Sequence, residues 1–255
     1  MTDLPLDVGW LTANGAACAL IAARSAGVCF TAPVLAAPGV DWRFRIVLAL
    51  LLGAWMAPLA APLVGTPSSP YGLGWLAINE GLVGALIGMA ASLVVAGAKQ
   101  AGDIVAAQAG LSTASLFDPE SGEELTALGH LYGLIAIAAF LAVDGPLRMT
   151  EALLQSFETV PAGRLVFERS TVQAMFAQAA EALQLAVRAA APPAVALATA
   201  GVALGWLGRL APSVPLMALS LPIRAALGVL LVMAGLVALT ACLEAAWMDW
   251  ARAGF

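Results

Sequence analysis

The chain has 255 residues, of which 62% are apolar and 11% charged, with a mean hydropathy of +0.93 and a formal charge of −5. That composition excludes an ordinary soluble domain and puts the chain in or against a membrane. The acidic balance, with no basic cluster to meet phosphates, excludes nucleic acid as a partner.

The opening MTDLPLDVGW lacks a positively charged n-region, so the first apolar stretch is expected to be retained, and no lipidation signature stands at either end. Six apolar stretches follow, at about 10–37, 44–64, 73–98, 126–143, 174–207 and 214–247. Each is near or above the ~20 residues that cross a bilayer as a helix. Leucine and alanine dominate and no alternating pattern appears, so an all-α, polytopic architecture of about six long apolar helices follows. No linker divides the chain, and a single domain over 1–255 is expected.

Arg24 lies in the middle of the first stretch, and Arg224 lies in the last, between Pro222 and Gly228. A charge facing lipid at such depth costs ~2.5–3.5 kcal/mol, so both are expected to face protein, backbone carbonyls or water, unless they snorkel from a helix end. In the third stretch Gly81, Gly84 and Gly88 share a helix face with Ala91. Gly201 and Gly205, with Gly208, repeat the arrangement before Arg209. Such faces admit another helix closely, whether from the same subunit or from a different one.

Residues 144–171 read as a long connection with a helical turn or two near Arg148 to Phe157. After it, Ser170, Gln173, Glu181, Gln184 and Arg188 form one polar helical stripe that must meet water, a lumen or a polar partner. The positive-inside rule does not orient the chain. Arg43, Arg45, Lys99 and Arg209 on one side balance Arg148, Arg164, Arg169 and Arg252 on the other. Either the true spans differ from these six stretches or the helices do not all cross.

No catalytic set, cofactor loop or metal shell is visible. His130 is the single histidine, and Cys18, Cys29 and Cys242 have neither metal spacing nor a disulfide framework. The run Asp118 to Glu124 lacks the EF-hand order of oxygen ligands. The chain is therefore read as a non-enzyme without cofactor.

The longest polar interruption is Lys99 to His130, AKQAGDIVAAQAGLSTASLFDPESGEELTALGH with Ala98 before it. Its glycines, hydroxyls and the Asp118-Pro119 turn signal describe a flexible connection. Within it, Gly102, Asp103, Val105, Gln108, Gly110, Leu111, Ser112, Ala114, Asp118 and Pro119 match the pattern of a known family. Arg24 with Thr31-Ala32-Pro33, Ser156-Phe157 with Pro161 and Gly163, Gly205 with Arg209 to Pro212, and Leu221-Pro222 follow in the same order. On these residues the chain resembles the FliR family of flagellar biosynthesis and its virulence counterpart SctT, and SFETVPAG at 156–163 is more similar to the flagellar branch. Val214-Pro215 and Met217 depart from the Asn or Gln and aromatic residue of many relatives.

The resemblance implies a core subunit of a type III protein-export channel in the bacterial inner membrane, at the flagellar basal body. There it would join FliP-like and FliQ-like subunits, with an FlhB-like protein, as the entry portal for unfolded export substrates. By the same resemblance, Gln108 to Glu124 corresponds to a plug. Gly110 and Gly122 would hinge it, Ser112 and Ser115 would make small polar contacts, and Leu111, Leu116 and Phe117 would form an apolar wedge ahead of Asp118 and Pro119. A wedge of that kind closes a pore by dewetting. A static surface connection is the plainer reading of the same loop. A reading of a different class is a self-sufficient secondary transporter or small-solute channel, with Arg24, Asp103, Asp144 and Arg224 along its path.

Overall fold

A computed structural model of the chain describes residues 14–37, 39–63, 70–111, 127–160, 169–210 and 216–253. Among them the regular elements are all helical: α1 Gly15–Thr31, α2 Trp42–Ala60 with a 3₁₀ turn at Ala61–Leu63, α3 Pro70–Ala109, α4 Ala127–Ala142, α5 Gly145–Thr159, α6 Arg169–Leu210 and α7 Leu216–Ala253. The all-α expectation therefore stands, and local chemistry explains several boundaries. Asp41 caps α2 by accepting from the Arg43 backbone N–H at 3.3 Å. Pro146 sits in the first turn of α5, where its missing N–H costs no helical bond. Gly110, at φ +76°, ends α3 in a conformation that glycine adopts freely.

Three boundaries differ from the sequence reading. The third stretch was expected to stop near residue 98, but α3 runs through Lys99, Asp103 and Gln108 to Ala109. The segment AKQAGDIVAAQA is rich in alanine and contains no proline, so a polar interruption does not break the helix. The first and fourth stretches form helices of 17 and 16 residues, short of a full crossing. Among the described residues four helical segments are long and apolar enough to span a membrane, Trp42–Ala60, Gly72–Ala109, Phe176–Leu210 and Pro222–Trp250, and Ala127–Ala142 with Gly145–Thr159, bent by 68°, makes a fifth if the pair is one span. Fewer full spans than six is one of the two outcomes that the balanced charge count left open.

The described residues fall into two compact units, one drawn from 1–93, 144–178 and 250–255, the other from 94–143 and 179–249. In the first, α1 and α2 form a hairpin so close that a Cβ on Gly53 would lie 2.8 Å from the Ala22 Cα. Leu20, Ile21, Met56, Ile87, Leu153 and Phe157 fill its core. In the second, Trp247 is buried against Phe140, ring centroids 4.6 Å apart, and donates its indole N–H to the Ala136 carbonyl at 3.1 Å. Pairing the polar end of a large aromatic in this way removes the cost of burying it.

Burial is uneven along the apolar helices. Half of the most apolar window of Gly72–Ala109 is buried, against 11% of that of Phe176–Leu210. Phe176, Leu183, Val187, Val195, Val202 and Trp206 all stand exposed on α6. An apolar surface of that extent requires lipid or another protein chain to cover it.

Candidate functional site

In the first unit the sequence puts one cation, Arg24, into an apolar helix, and the fold answers it with four partners. The guanidinium is fully buried. Its Nε donates to Glu80 Oε2 at 2.6 Å, and Nη2 lies 2.5 Å from the same oxygen. Nη1 donates to Ser156 Oγ at 3.0 Å, and Nη2 to the Val160 carbonyl at 3.1 Å. The face of the guanidinium rests 4.1 Å from the centre of the Phe157 ring. Ser156 Oγ in turn donates to the Leu153 carbonyl at 2.6 Å. One side chain thus joins α1, α3 and the C-terminal end of α5. Buried charge of this kind is tolerated only when paired and fully hydrogen-bonded.

Close backbone approach makes this possible. A Cβ at Gly84 would run into the Arg24 carbonyl oxygen, and one at Gly88 would meet Thr31 Oγ1 and, at 2.9 Å, the Val28 carbonyl. From the opposite side, a Cβ at Gly27 would strike the Gly81 carbonyl and the Ala85 nitrogen, the latter at 2.6 Å. A Cβ at Gly81 would make only ordinary contact with the Ala23 carbonyl, at 3.7 Å. The glycines of α3 therefore pack on α1 of the same chain.

Sequence reasoning missed Glu80 and Gly27. Glu80 had a readable signal, since it is the one acidic residue in 73–98 and an apolar stretch with a single carboxylate complements an apolar stretch with a single guanidinium. Arg24 has no solvent exposure, which weighs against its lining an aqueous path.

In the second unit, α3 meets α4 through small residues. A Cβ at Gly102 would lie 2.5 Å from the Leu128 carbonyl, and one at Gly129 would enter the Asp103 carboxylate, with Asp103 Cγ at 2.9 Å. A Cβ at Gly133 would meet the aliphatic stem of Lys99, with Cε at 2.7 Å. Two charged side chains of α3 therefore lie over glycines of α4, an arrangement that the sequence reading did not anticipate. His130 is exposed in the first turn of α4.

Arg224 on α7 is placed differently from Arg24. Its guanidinium occupies the space that a side chain at position 201 would take, with Cζ 3.0 Å and Nε 3.5 Å from a Cβ built on Gly201. Its Nε is enclosed and has no acceptor among the described residues. Gly201 thus seats a guanidinium, while Gly205 is exposed and faces open space. Of the loop expected to act as a plug, Gln108 and Leu111 are exposed and Gly110 half-buried. Ser112, Ser115, Leu116, Phe117, Asp118, Pro119 and Gly122 lie outside the described residues.

Residues 16–249 match the family described as bacterial export proteins, family 1. Over 204 residues the chain is 31% identical to the flagellar biosynthetic protein FliR of Pectobacterium carotovorum subsp. carotovorum, covering 78% of this chain and 76% of that protein. The FliR of Escherichia coli K12 is 29% identical over 83% of this chain and 80% of its own length. The Yop proteins translocation protein T of Yersinia pestis is 29% identical over 76% and 74%.

Proposed function

The chain belongs to the bacterial export proteins, family 1, and from that premise we propose that it is a non-enzymatic core subunit of a flagellar type III protein-export channel. In this reading the whole chain works as one multi-pass subunit in the inner membrane at the basal body. It assembles with FliP-like, FliQ-like and FlhB-like proteins to form the entry portal for unfolded substrates. The observation that carries the reading is the extent of the match, 16–249, which takes in both compact units and both helices that are least covered by the chain itself. A subunit built for assembly leaves such surface, and the open face at Gly205 offers a neighbouring helix close approach. Identity to the Yop translocation protein supports a second reading, an injectisome subunit of the same kind.

The test of assembly is co-expression with the FliP-like and FliQ-like proteins of the same organism and native mass spectrometry of the purified product. One copy of this chain in a larger mixed complex is the expected result, and a homo-oligomer that ignores both partners would overturn the reading and favour a self-sufficient transporter. Within the same proposal, Gln108 to Glu124 serves as the plug. Deleting Gly110 to Phe117 is expected to make the assembled channel leak ions, and unchanged membrane conductance would remove the plug from the mechanism.

A further inference from the structure

The hairpin of α6 and α7 carries cations along a stretch that has no acidic residue of its own. Between Glu181 and Glu244 the chain carries Arg188, Arg209 and Arg224 and not one Asp or Glu. Two contacts fix the register in the second unit. Gly201 faces Arg224, and a Cβ on Gly228 would lie 3.9 Å from Leu197 Cδ1, so the two helices run antiparallel with 201 level with 224 and 197 with 228. On that register Arg209, Trp206 and Arg224 all belong to the same end of the hairpin. Arg209 is in the last turn of α6, Trp206 is 70% exposed one turn below it, and Arg224 stands two residues inside the apolar segment Pro222–Trp250. Leu207 and Leu210 are exposed at the same end.

From these residues we propose that this end of the hairpin binds the phosphate of an anionic phospholipid, with Arg224 as the seated ligand and Arg209 as a second cation. The guanidinium fork matches phosphate oxygens with two parallel N–H donors. Gly201 aims it by leaving the space in which it lies, and the half-buried side chain carries an Nε with no acceptor among the described residues. An exposed tryptophan and two arginines at one end of two long apolar helices are the residues that sit at headgroup depth, with the hydrocarbon below them. A carboxylate from another protein would satisfy the charge but not the wide apolar surround. The proposal requires only that the chain sit in a membrane, so it stands or falls apart from the export reading.

The experiment is lipid titration of the full chain, delipidated in neutral detergent, with adducts counted by native mass spectrometry. Phosphatidylglycerol is expected to bind at least fivefold more tightly than phosphatidylcholine. Arg224→Gln should abolish that preference and Arg224→Lys should restore part of it, since a point charge replaces the fork. Gly201→Ala, which pushes the guanidinium from its seat, should weaken the preference severalfold. Arg209→Gln, on an exposed position that leaves folding intact, should weaken it about twofold. Excess inorganic phosphate should not displace the lipid; displacement would mark a free-phosphate site and overturn the lipid assignment. Equal binding of the two lipids by the wild type, or an unchanged preference in both Arg224→Gln and Arg209→Gln, would also overturn it and leave a partner's carboxylate as the counter-charge.

Discussion

Arg24 and Arg224 begin as the same sequence signal, one guanidinium in an apolar helix, and end in opposite physical situations. Arg24 is closed on all sides by a carboxylate, a hydroxyl, a carbonyl and an aromatic face from its own chain. Arg224 has a glycine for a seat and an enclosed Nε with no acceptor among the described residues. The first arginine is completed within the chain, and the second depends on an anion that the hairpin does not supply between Glu181 and Glu244. The difference separates a charge that specifies the fold from one that addresses the surroundings.

Removing Arg24's counter-ion should have the largest effect. Glu80→Gln keeps the shape and leaves a buried cation unpaired, at a cost of ~3–5 kcal/mol, or a fall of roughly 10 °C in the thermal midpoint in detergent. Replacing both partners, Arg24→Met with Glu80→Met, should recover most of that loss. A wild-type midpoint in Glu80→Gln would mean that the pair does not hold the unit together. Gly84→Ala comes next at ~1–3 kcal/mol, because the new Cβ meets backbone, which cannot swing aside. Gly201→Ala meets only the end of a flexible side chain, so a cost under ~1 kcal/mol is expected, and the same thermal measurement distinguishes the two glycines. Smallest of all, Arg224→Gln should shift stability by no more than ~0.5 kcal/mol while changing lipid preference. A large loss of stability there would place Arg224 with Arg24 and erase the contrast.

Much of this was legible in the sequence. The all-α architecture follows from leucine- and alanine-rich runs, and the two arginines stand out as charges that need an explanation. The glycines at 84, 88 and 201 mark places of close approach, yet periodicity does not say what approaches. At 84 and 88 it is the α1 backbone, and at 201 it is a guanidinium. The partner Glu80 was visible as a lone acid but could not be assigned, because nothing local links positions 56 residues apart. The end of α3 differs for another reason. Polarity suggests a boundary near residue 98, whereas the helix stops only where Gly110 turns to positive φ.

The Arg24 network also sets a clock. Its partners lie 56, 132 and 136 residues further along the chain. At the usual pace of synthesis Ser156 emerges roughly 7 to 26 s after Arg24. Glu80 follows after roughly 3 to 11 s and can pair the charge, but the remaining donors of the guanidinium wait for Ser156 and Val160, so the final seating of the first helix waits on the fifth. A ribosome stalled before Ser156 would release a nascent chain whose earliest segment is still unfinished, with guanidinium donors that have not met their acceptors at the end of the fifth helix.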